Sequence, residues 1–561
     1  MSDSPLNVAT HLVRMAADHP AQVAIYFPRR GVKSEGESEH IPITFAELNN
    51  DVDVIAHGLA ALGIARGTRT ALMVPPSPDF FAITFALFKI AAIPVLIDPG
   101  MGVWNLGKCL AEAEPEAFIG ITRAQLARRV LRWGRKTIRT TANAGRWRFF
   151  CNTSLAHLRK ARKSHGAYLI PDVARDEPAA ILFTSGSTGV AKGAVYTHGN
   201  FAAQVDILKA TYGIEPGEID LCTFPLFALF GPALGMTCII PDMNPTRPAQ
   251  IDPQKAIAQI RQFGVTNMFG SPAVIRRLTN SPPLATLRRV ISAGAPASAS
   301  AIEKFVKLLP ESAEVFTPYG ATEALPVANI GSREILGETQ QLTEQGKGVC
   351  VGRPVVGMEV HVIHITDQPI PEWDESLRLP QGEVGEFVVR GPVVTRRYYN
   401  RPDATKQAKI RDPQSGDILH RMGDVGYLDD RGRLWFCGRK SHRVETPSGT
   451  LFTDMVEPIF NILPGVFRTA LVGVMRGGVT YPVLCVELEG GQLPRASDAL
   501  TIQNTLTQTA NSRPHTRAIE TFLFHPGFPV DVRHNSKIFR EKLAVWADKK
   551  LGKHWKPEPP R

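Results

Sequence analysis

The chain has 561 residues, more than one hydrophobic core usually supports, so two or more domains are expected. Apolar residues make up 43% and charged residues 21%, a globular balance that excludes a disordered chain. The net charge is +11, and the seven cysteines are scattered without CxxC pairing, which excludes a disulfide framework or a zinc site and points to a reducing compartment.

In chain order, the first 30 residues hold no basic segment followed by an apolar core, so no secretory signal is read and a cytoplasmic location is expected. Apolar runs at 69–74, 93–97, 179–184, 267–270 and 290–293 alternate with helical patterns, which predicts parallel α/β layers. Lys89 and Pro94 divide the run 80–97 into a helix and a strand. Between Arg123 and Lys163 stand thirteen basic residues and no acidic one. Such a block suits peripheral docking on an anionic membrane or an acidic protein partner, the plain alternative being a solvated surface insertion. Nucleic acid is not expected, because Trp133, Trp147, Phe149 and Phe150 form no base-stacking motif. The uncharged stretch 221–241 is long enough to span a membrane, but Pro225, Gly231, Pro232 and Gly235 break it into buried strand and loop. From 351 to 436 short strands with Gly and Pro turns predict a β-rich subdomain, and a smaller α+β segment follows Gly438.

The sharpest local signal is Ile181-Leu-Phe-Thr-Ser-Gly-Ser-Thr-Gly-Val-Ala-Lys-Gly193. A strand runs into Thr184, Ser185, Gly186, Ser187, Thr188 and Gly189, with Lys192 after them. Glycines and small hydroxylated residues let backbone N–H groups and hydroxyls converge on phosphate oxygens, and the lysine adds charge. A flexible linker would not follow a buried strand and end in Lys-Gly. Walker A needs four residues between its glycines and a Ser or Thr after the lysine. Here Gly186 and Gly189 are separated by two residues and Gly193 follows Lys192, so a P-loop NTPase is disfavoured. No HRD or DFG constellation supports a kinase.

This loop resembles the signature of the adenylate-forming superfamily of acyl-CoA synthetases, firefly-type luciferases and peptide-synthetase adenylation domains. Six further motifs resemble that family in order: Ser292-Ala-Gly-Ala-Pro296, Thr317-Pro-Tyr-Gly-Ala-Thr-Glu323, Gly382-Glu-Val-Gly-Glu386 with Gly391, Arg421-Met-Gly-Asp424 with Gly426-Tyr427, Gly438-Arg-Lys440, and Asn535-Ser-Lys537. The resemblance implies an α/β protein with a large N-terminal domain, residues 1–438, and a small mobile α+β C-terminal domain, residues 439–561. The large domain would hold two doubly wound α/β subdomains and a β-barrel-like subdomain.

It also implies roles. A carboxylate oxygen attacks the α-phosphorus of ATP as pyrophosphate leaves, and cations and dipoles must offset the repulsion between the two anions. By resemblance, Thr184 to Lys192 hold the β- and γ-phosphates, Gly294, Ala295 and Pro296 flank the adenine, and Tyr319 stacks on it beside Gly320 and Ala321. Thr322 hydrogen-bonds the α-phosphate. Glu323 ligates Mg²⁺, with Thr184 a second contact to its shell. Asp424 accepts the ribose hydroxyls, assisted by Arg439. Lys537 bridges carboxylate and α-phosphate in the transition state, and Ser441 is the hinge about which the small domain turns.

Some positions depart from the acyl-CoA synthetase pattern. His442 stands where an acid usually follows the hinge, Leu451 where a basic residue does, and Ala228 where many members carry His. The apolar stretch with Phe227, Phe230, Gly231 and Met236 suits a long hydrocarbon chain. Gly438 to Thr446 and Pro225 to Gly231 together resemble the β-lactone synthetases of bacterial olefin biosynthesis. That resemblance implies a 2-alkyl-3-hydroxy fatty acid whose 3-hydroxyl attacks the adenylated carbonyl, releasing AMP without a thiol acceptor. His442 and His198 are the candidate bases. Other olefin-pathway enzymes (a condensing enzyme, a reductase, a lactone decarboxylase) are the implied partners. The alternatives are a long-chain acyl-CoA synthetase and a nucleotide-binding protein without catalysis, the latter disfavoured by the joint presence of Lys192, Glu323, Asp424, Arg439 and Lys537.

Overall fold

Two sheets carry most of the chain. In the computed structural model, which describes residues 6–29, 39–148, 150–162, 166–183, 191–530 and 538–556, the first sheet has seven strands. They run in space Thr153–Ser154, Thr140–Asn143, Ala117–Gly120, Arg69–Met73, Ile93–Leu96, Pro178–Phe183 and Gly193–Thr197. Every pair is parallel except the last, where Phe183 faces Gly193 across an antiparallel ladder. Parallel neighbours need crossovers, and helices such as Pro78–Lys89 supply them. Ser77 caps that helix through Oγ, accepting from the Phe80 N–H at 3.2 Å, and Pro78 sits where no helical N–H is needed. Its last residue, Lys89, is buried and donates to Asp53 Oδ1 at 2.5 Å and Asn49 Oδ1 at 2.8 Å. A charge in an apolar run thus survives by being paired.

The second sheet has fourteen strands. Val23–Pro28, Thr237–Ile239, Ile219–Cys222, Asn267–Gly270, Arg289–Ser292 and Glu314–Ala321 are parallel neighbours, with His40–Thr44 antiparallel at one edge. Beyond Glu314–Ala321 the ladder turns antiparallel through Ala324–Gly331 into Val349–Pro354, Leu434–Arg439, Ile418–Leu428, Gly385–Arg390 and Glu359–Ile363. This β-rich stretch is where the Gly and Pro turns placed it, and it joins the parallel part edge to edge.

After Arg443 the described strands pair only among themselves: a hairpin, Val444–Thr446 with Gly449–Leu451, and the sheet Val466–Arg476, Val479–Leu488, Thr521–Phe524. Helices Thr453–Asn461 and Arg540–Leu551 pack on that sheet. The fold is α/β. No helix among the described residues is long and apolar enough to cross a membrane.

Candidate active site

The site is built where a hairpin turn, the strand that follows Lys192 and one cross-strand pair meet. Thr322 and Glu323 form the two-residue turn between Glu314–Ala321 and Ala324–Gly331, with Ala321 opposite Ala324. Gly320 must be glycine here, because a Cβ would lie 2.6 Å from the Ala324 carbonyl oxygen. The strands on either side of the Ser/Thr/Gly loop, Pro178–Phe183 and Gly193–Thr197, pair antiparallel, with Phe183 opposite Gly193. Thr184, Ser185, Gly186, Ser187, Thr188 and Gly189 lie outside the described residues, as does Lys537. Lys192 closes the loop, and a Cβ on Gly193 would sit 2.8 Å from Ile181 Cγ2, which accounts for the Lys-Gly order.

The segment 397–399 lies against Gly193–Thr197. The Tyr399 N–H donates to the Gly193 carbonyl at 2.8 Å and the Val195 N–H to Arg397 at 3.1 Å. This docking carries Tyr398 between Glu323 and Lys192. Its hydroxyl donates to Glu323 Oε1 at 2.6 Å, and Lys192 Nζ lies 5.1 Å from its ring centroid. Burial, then the Glu323 charge, push the Tyr398 hydroxyl far above its ordinary pKa, so it remains a donor. Thr395 holds the same turn, donating from N and Oγ1 to the Glu323 carbonyl oxygen at 2.8 and 3.1 Å. Lys409, buried, donates to Thr395 Oγ1 at 3.2 Å. Burial pulls Lys409 down to about 7, against the opposing pull of Glu323. His420 is held well below 6.5, first by burial and then by Lys409, so its ring is neutral.

The cross-strand pair is Asp424 and Arg439, directly opposite each other in the ladder of Ile418–Leu428 and Leu434–Arg439. Arg439 Nη1 lies 2.6 Å from Asp424 Oδ1, and the Tyr319 hydroxyl donates to Asp424 Oδ2 at 2.6 Å. Burial raises the Asp424 pKa while Arg439 and Tyr319 oppose it. Gly294, at φ +93, turns the chain after Arg289–Ser292 in a left-handed conformation that favours glycine. Lys192, Gly294, Ala295, Pro296, Tyr319, Gly320, Ala321, Thr322, Glu323, Asp424, Arg439, Ser441 and His442 all line one cavity of about 2910 Å³.

That cavity continues between aromatic side chains. Phe227 stacks on Phe269 with centroids 4.1 Å apart, and Phe230 lies 6.1 Å from Phe227 and 6.4 Å from Phe201. Two residues expected in an acyl pocket are set back from it. Met236 is fully buried core, and Gly231 is small because a Cβ would meet Cys238 Sγ at 2.7 Å. His198 is also away from the cavity, buried at the start of helix His198–Tyr212 beside Glu177. Burial pulls it down to about 4, so packing and not proton transfer describes its place. The basic block is in part structural too: Arg159 pairs with Asp51 at 2.6 Å and Asp79 at 2.8 Å.

Ser441 is exposed in the short turn Lys440–His442, between two tethered cations. Lys440 Nζ donates to Glu386 Oε2 at 3.1 Å and the Thr366 carbonyl at 2.9 Å, and Arg443 Nη2 to Asp367 Oδ2 at 2.8 Å. On the far side of 537, Ile538 and Arg540 line the same cavity as Glu323, and Arg540 is clamped by Glu457 at 2.5 and 2.8 Å. Tyr398, Thr395, Lys409 and His420 lie in none of the sequence motifs; Tyr398 is placed by the pairing of segment 397–399 with a strand two hundred residues earlier, and Lys409 and His420 face each other across their own ladder.

The family model for AMP-binding enzymes matches residues 12–399. The chain is 50% identical over 554 residues to the olefin beta-lactone synthetase of Stenotrophomonas maltophilia, covering 98% of this chain and 99% of that protein. It is 50% identical over 545 residues to the olefin beta-lactone synthetase of Xanthomonas campestris pv. campestris, covering 96% and 97%. Among solved structures, ATP-bound MatB from Rhodopseudomonas palustris is similar with a TM-score of 0.76 at 21% identity, over 98% of this chain and all of that one.

Proposed function

The chain belongs to the AMP-binding enzyme family, and on that premise we propose that it adenylates a long-chain 2-alkyl-3-hydroxy fatty acid with ATP and closes the product to a β-lactone. The observation that carries this reading is continuity: Glu323, Lys192 and the Asp424–Arg439 pair line the same cavity as Phe227 and Phe230. A phosphate-bearing head and an apolar tail therefore share one space.

In the first step a carboxylate oxygen forms a bond to the α-phosphorus and pyrophosphate departs. In the second, the 3-hydroxyl oxygen bonds to the acyl carbon, the bond to AMP breaks, and the hydroxyl proton passes to a base. An internal hydroxyl has a high effective concentration, so no CoA is required. His442 is the candidate base, being the expected histidine that lines the cavity. Lys537 is the cation of the first step, with residues 1–438 carrying the substrates and 439–561 delivering it about Ser441. Among the described residues no cluster of three or more His, Cys, Asp or Glu could cage a metal. A single carboxylate, Glu323, fits Mg²⁺, which is held by one or two carboxylates together with substrate phosphates. Mg²⁺ bound there would neutralise phosphate charge. Association with other olefin-pathway enzymes belongs to the same proposal.

The test is product identification by mass spectrometry. The β-hydroxy acid with ATP and Mg²⁺ should yield AMP, pyrophosphate and β-lactone without CoA. Strict dependence on CoA, with a thioester as product, would instead establish the acyl-CoA synthetase reading.

A further inference from the structure

We infer that the face built from helix Thr122–Val130 and the chain from 131 to 150 docks on the surface of an anionic lipid bilayer. Leu126 and Val130 stand one helical turn apart, 62% and 69% exposed, and Trp147 and Phe150 are 66% and 75% exposed. Two contacts lay the segment that carries Trp147 and Phe150 along this helix. Arg129 lies over the Phe150 ring at 4.7 Å, at the helix C-terminal end. At the other end Asn143 Nδ2 donates to the Trp147 carbonyl at 2.7 Å and to Thr122 Oγ1 at 3.2 Å.

The rim of the patch is cationic. Arg129, Arg132, Arg135 and Lys136 are exposed, and none has an acidic partner among the described residues. Arg159 and Arg128 do not contribute: the first is taken by Asp51 and Asp79, the second lies over the Phe118 ring at 5.6 Å. Apolar tips within a ring of cations match a bilayer interface, where aromatic side chains sit at headgroup depth and each Lys or Arg gains about 1 kcal/mol from anionic lipid. Neither signal alone anchors a protein firmly, but the two together do. A solvated insertion has no need of four large apolar side chains exposed on one short helix and the segment laid along it.

The inner face of this helix is a wall of the cavity, where Ala124 and Ala127 line it. The outward side chains would therefore meet lipid one helix thickness from that cavity. The docking itself is independent of the proposed reaction; only its use, loading a membrane-partitioned acyl chain, rests on that reading.

The test is sedimentation of the full chain with vesicles of phosphatidylcholine alone and of phosphatidylcholine mixed with phosphatidylglycerol. Pelleting is expected with the anionic vesicles only, and loss of it at high salt. The variants Leu126→Ser/Val130→Ser/Phe150→Ser and Arg129→Glu/Arg132→Glu/Arg135→Glu should each lower the bound fraction about tenfold or more. Both should keep ATP–pyrophosphate exchange with a soluble acid, which reports an intact fold. Trp147→Phe should remove fluorescence quenching by brominated lipid without releasing the protein. The inference is overturned if the native chain stays in the supernatant, or if the apolar variant binds as well as the native chain, which would show adsorption through charge alone and no seating of this apolar face in the bilayer.

Discussion

Tyr398 joins Glu323 to Lys192: its hydroxyl donates to one carboxylate oxygen at 2.6 Å while the ammonium lies 5.1 Å from its ring. The turn that carries Glu323 is thereby held to the strand that begins after Lys192. Replacing Tyr398 by Phe keeps the ring and the cation contact and deletes one hydrogen bond to a charged group, worth about 1.5–3 kcal/mol. The expected result is a fall in kcat/KM for ATP of about 10- to 100-fold, greatest at limiting Mg²⁺, with a melting transition lowered by a few degrees. Pyrophosphate exchange across a Mg²⁺ titration measures it. Equal rates for Tyr398→Phe and the native chain at low Mg²⁺ would show that the Tyr398 hydroxyl does not position Glu323 for the metal.

Lys537 lies outside the described residues, but the chain just after it is anchored, since Arg540 is paired with buried Glu457. Lys537→Ala should abolish pyrophosphate release, by about a thousandfold for the loss of a transition-state charge contact. Turnover of a supplied acyl-adenylate should persist. The two half-reactions are assayed separately, and equal loss of both would contradict the proposed role.

Strands at Arg69–Met73, Ile93–Leu96 and Asn267–Gly270 were legible because buried parallel strands read as continuous apolar runs. The site was legible where a motif holds its own geometry: Thr322 and Glu323 need only their hairpin turn, and Asp424 and Arg439 need only their ladder. Tyr398 was not, because its place comes from long-range pairing that periodicity does not encode, nor was Lys409, whose burial against Thr395 and His420 no motif marks. Met236 and Gly231 misled for a related reason. An apolar residue near an apolar pocket can face either the pocket or the core behind it, and composition does not distinguish the two faces.

Phe230 faces the cavity from the turn Pro225–Phe230. Phe230→Trp adds volume to a packed aromatic wall, and overpacking shortens the space for a chain. The longest acid accepted should become shorter, with kcat/KM for it down about tenfold or more and shorter acids little affected. Met236→Ala, behind the wall, should cost about 2–5 kcal/mol of stability instead. A chain-length series for both variants, beside their thermal transitions, checks the division. Identical chain-length profiles for Phe230→Trp and the native chain would place the acyl chain elsewhere.

His198 is 1% exposed, and neither ring nitrogen has a hydrogen-bond partner among the described residues. Burial draws its pKa from 6.5 to about 4; nearby Glu177 raises it and Arg66 lowers it, both by less. Between those two values the unfolded chain binds a proton that the folded chain refuses. Stability is therefore complete above 6.5 and is lost as the pH falls toward 4, by about 2 kcal/mol at about pH 5. His198→Met keeps an apolar side chain of similar size and has nothing to titrate. Its denaturation midpoint should fall less than that of the native chain between about pH 7.5 and pH 5. His11 and His361, also drawn down to about 4 by burial, are present in both proteins and cancel in the difference. Parallel pH profiles for the two proteins would show that His198 is hydrated or paired in solution and carries no such linkage.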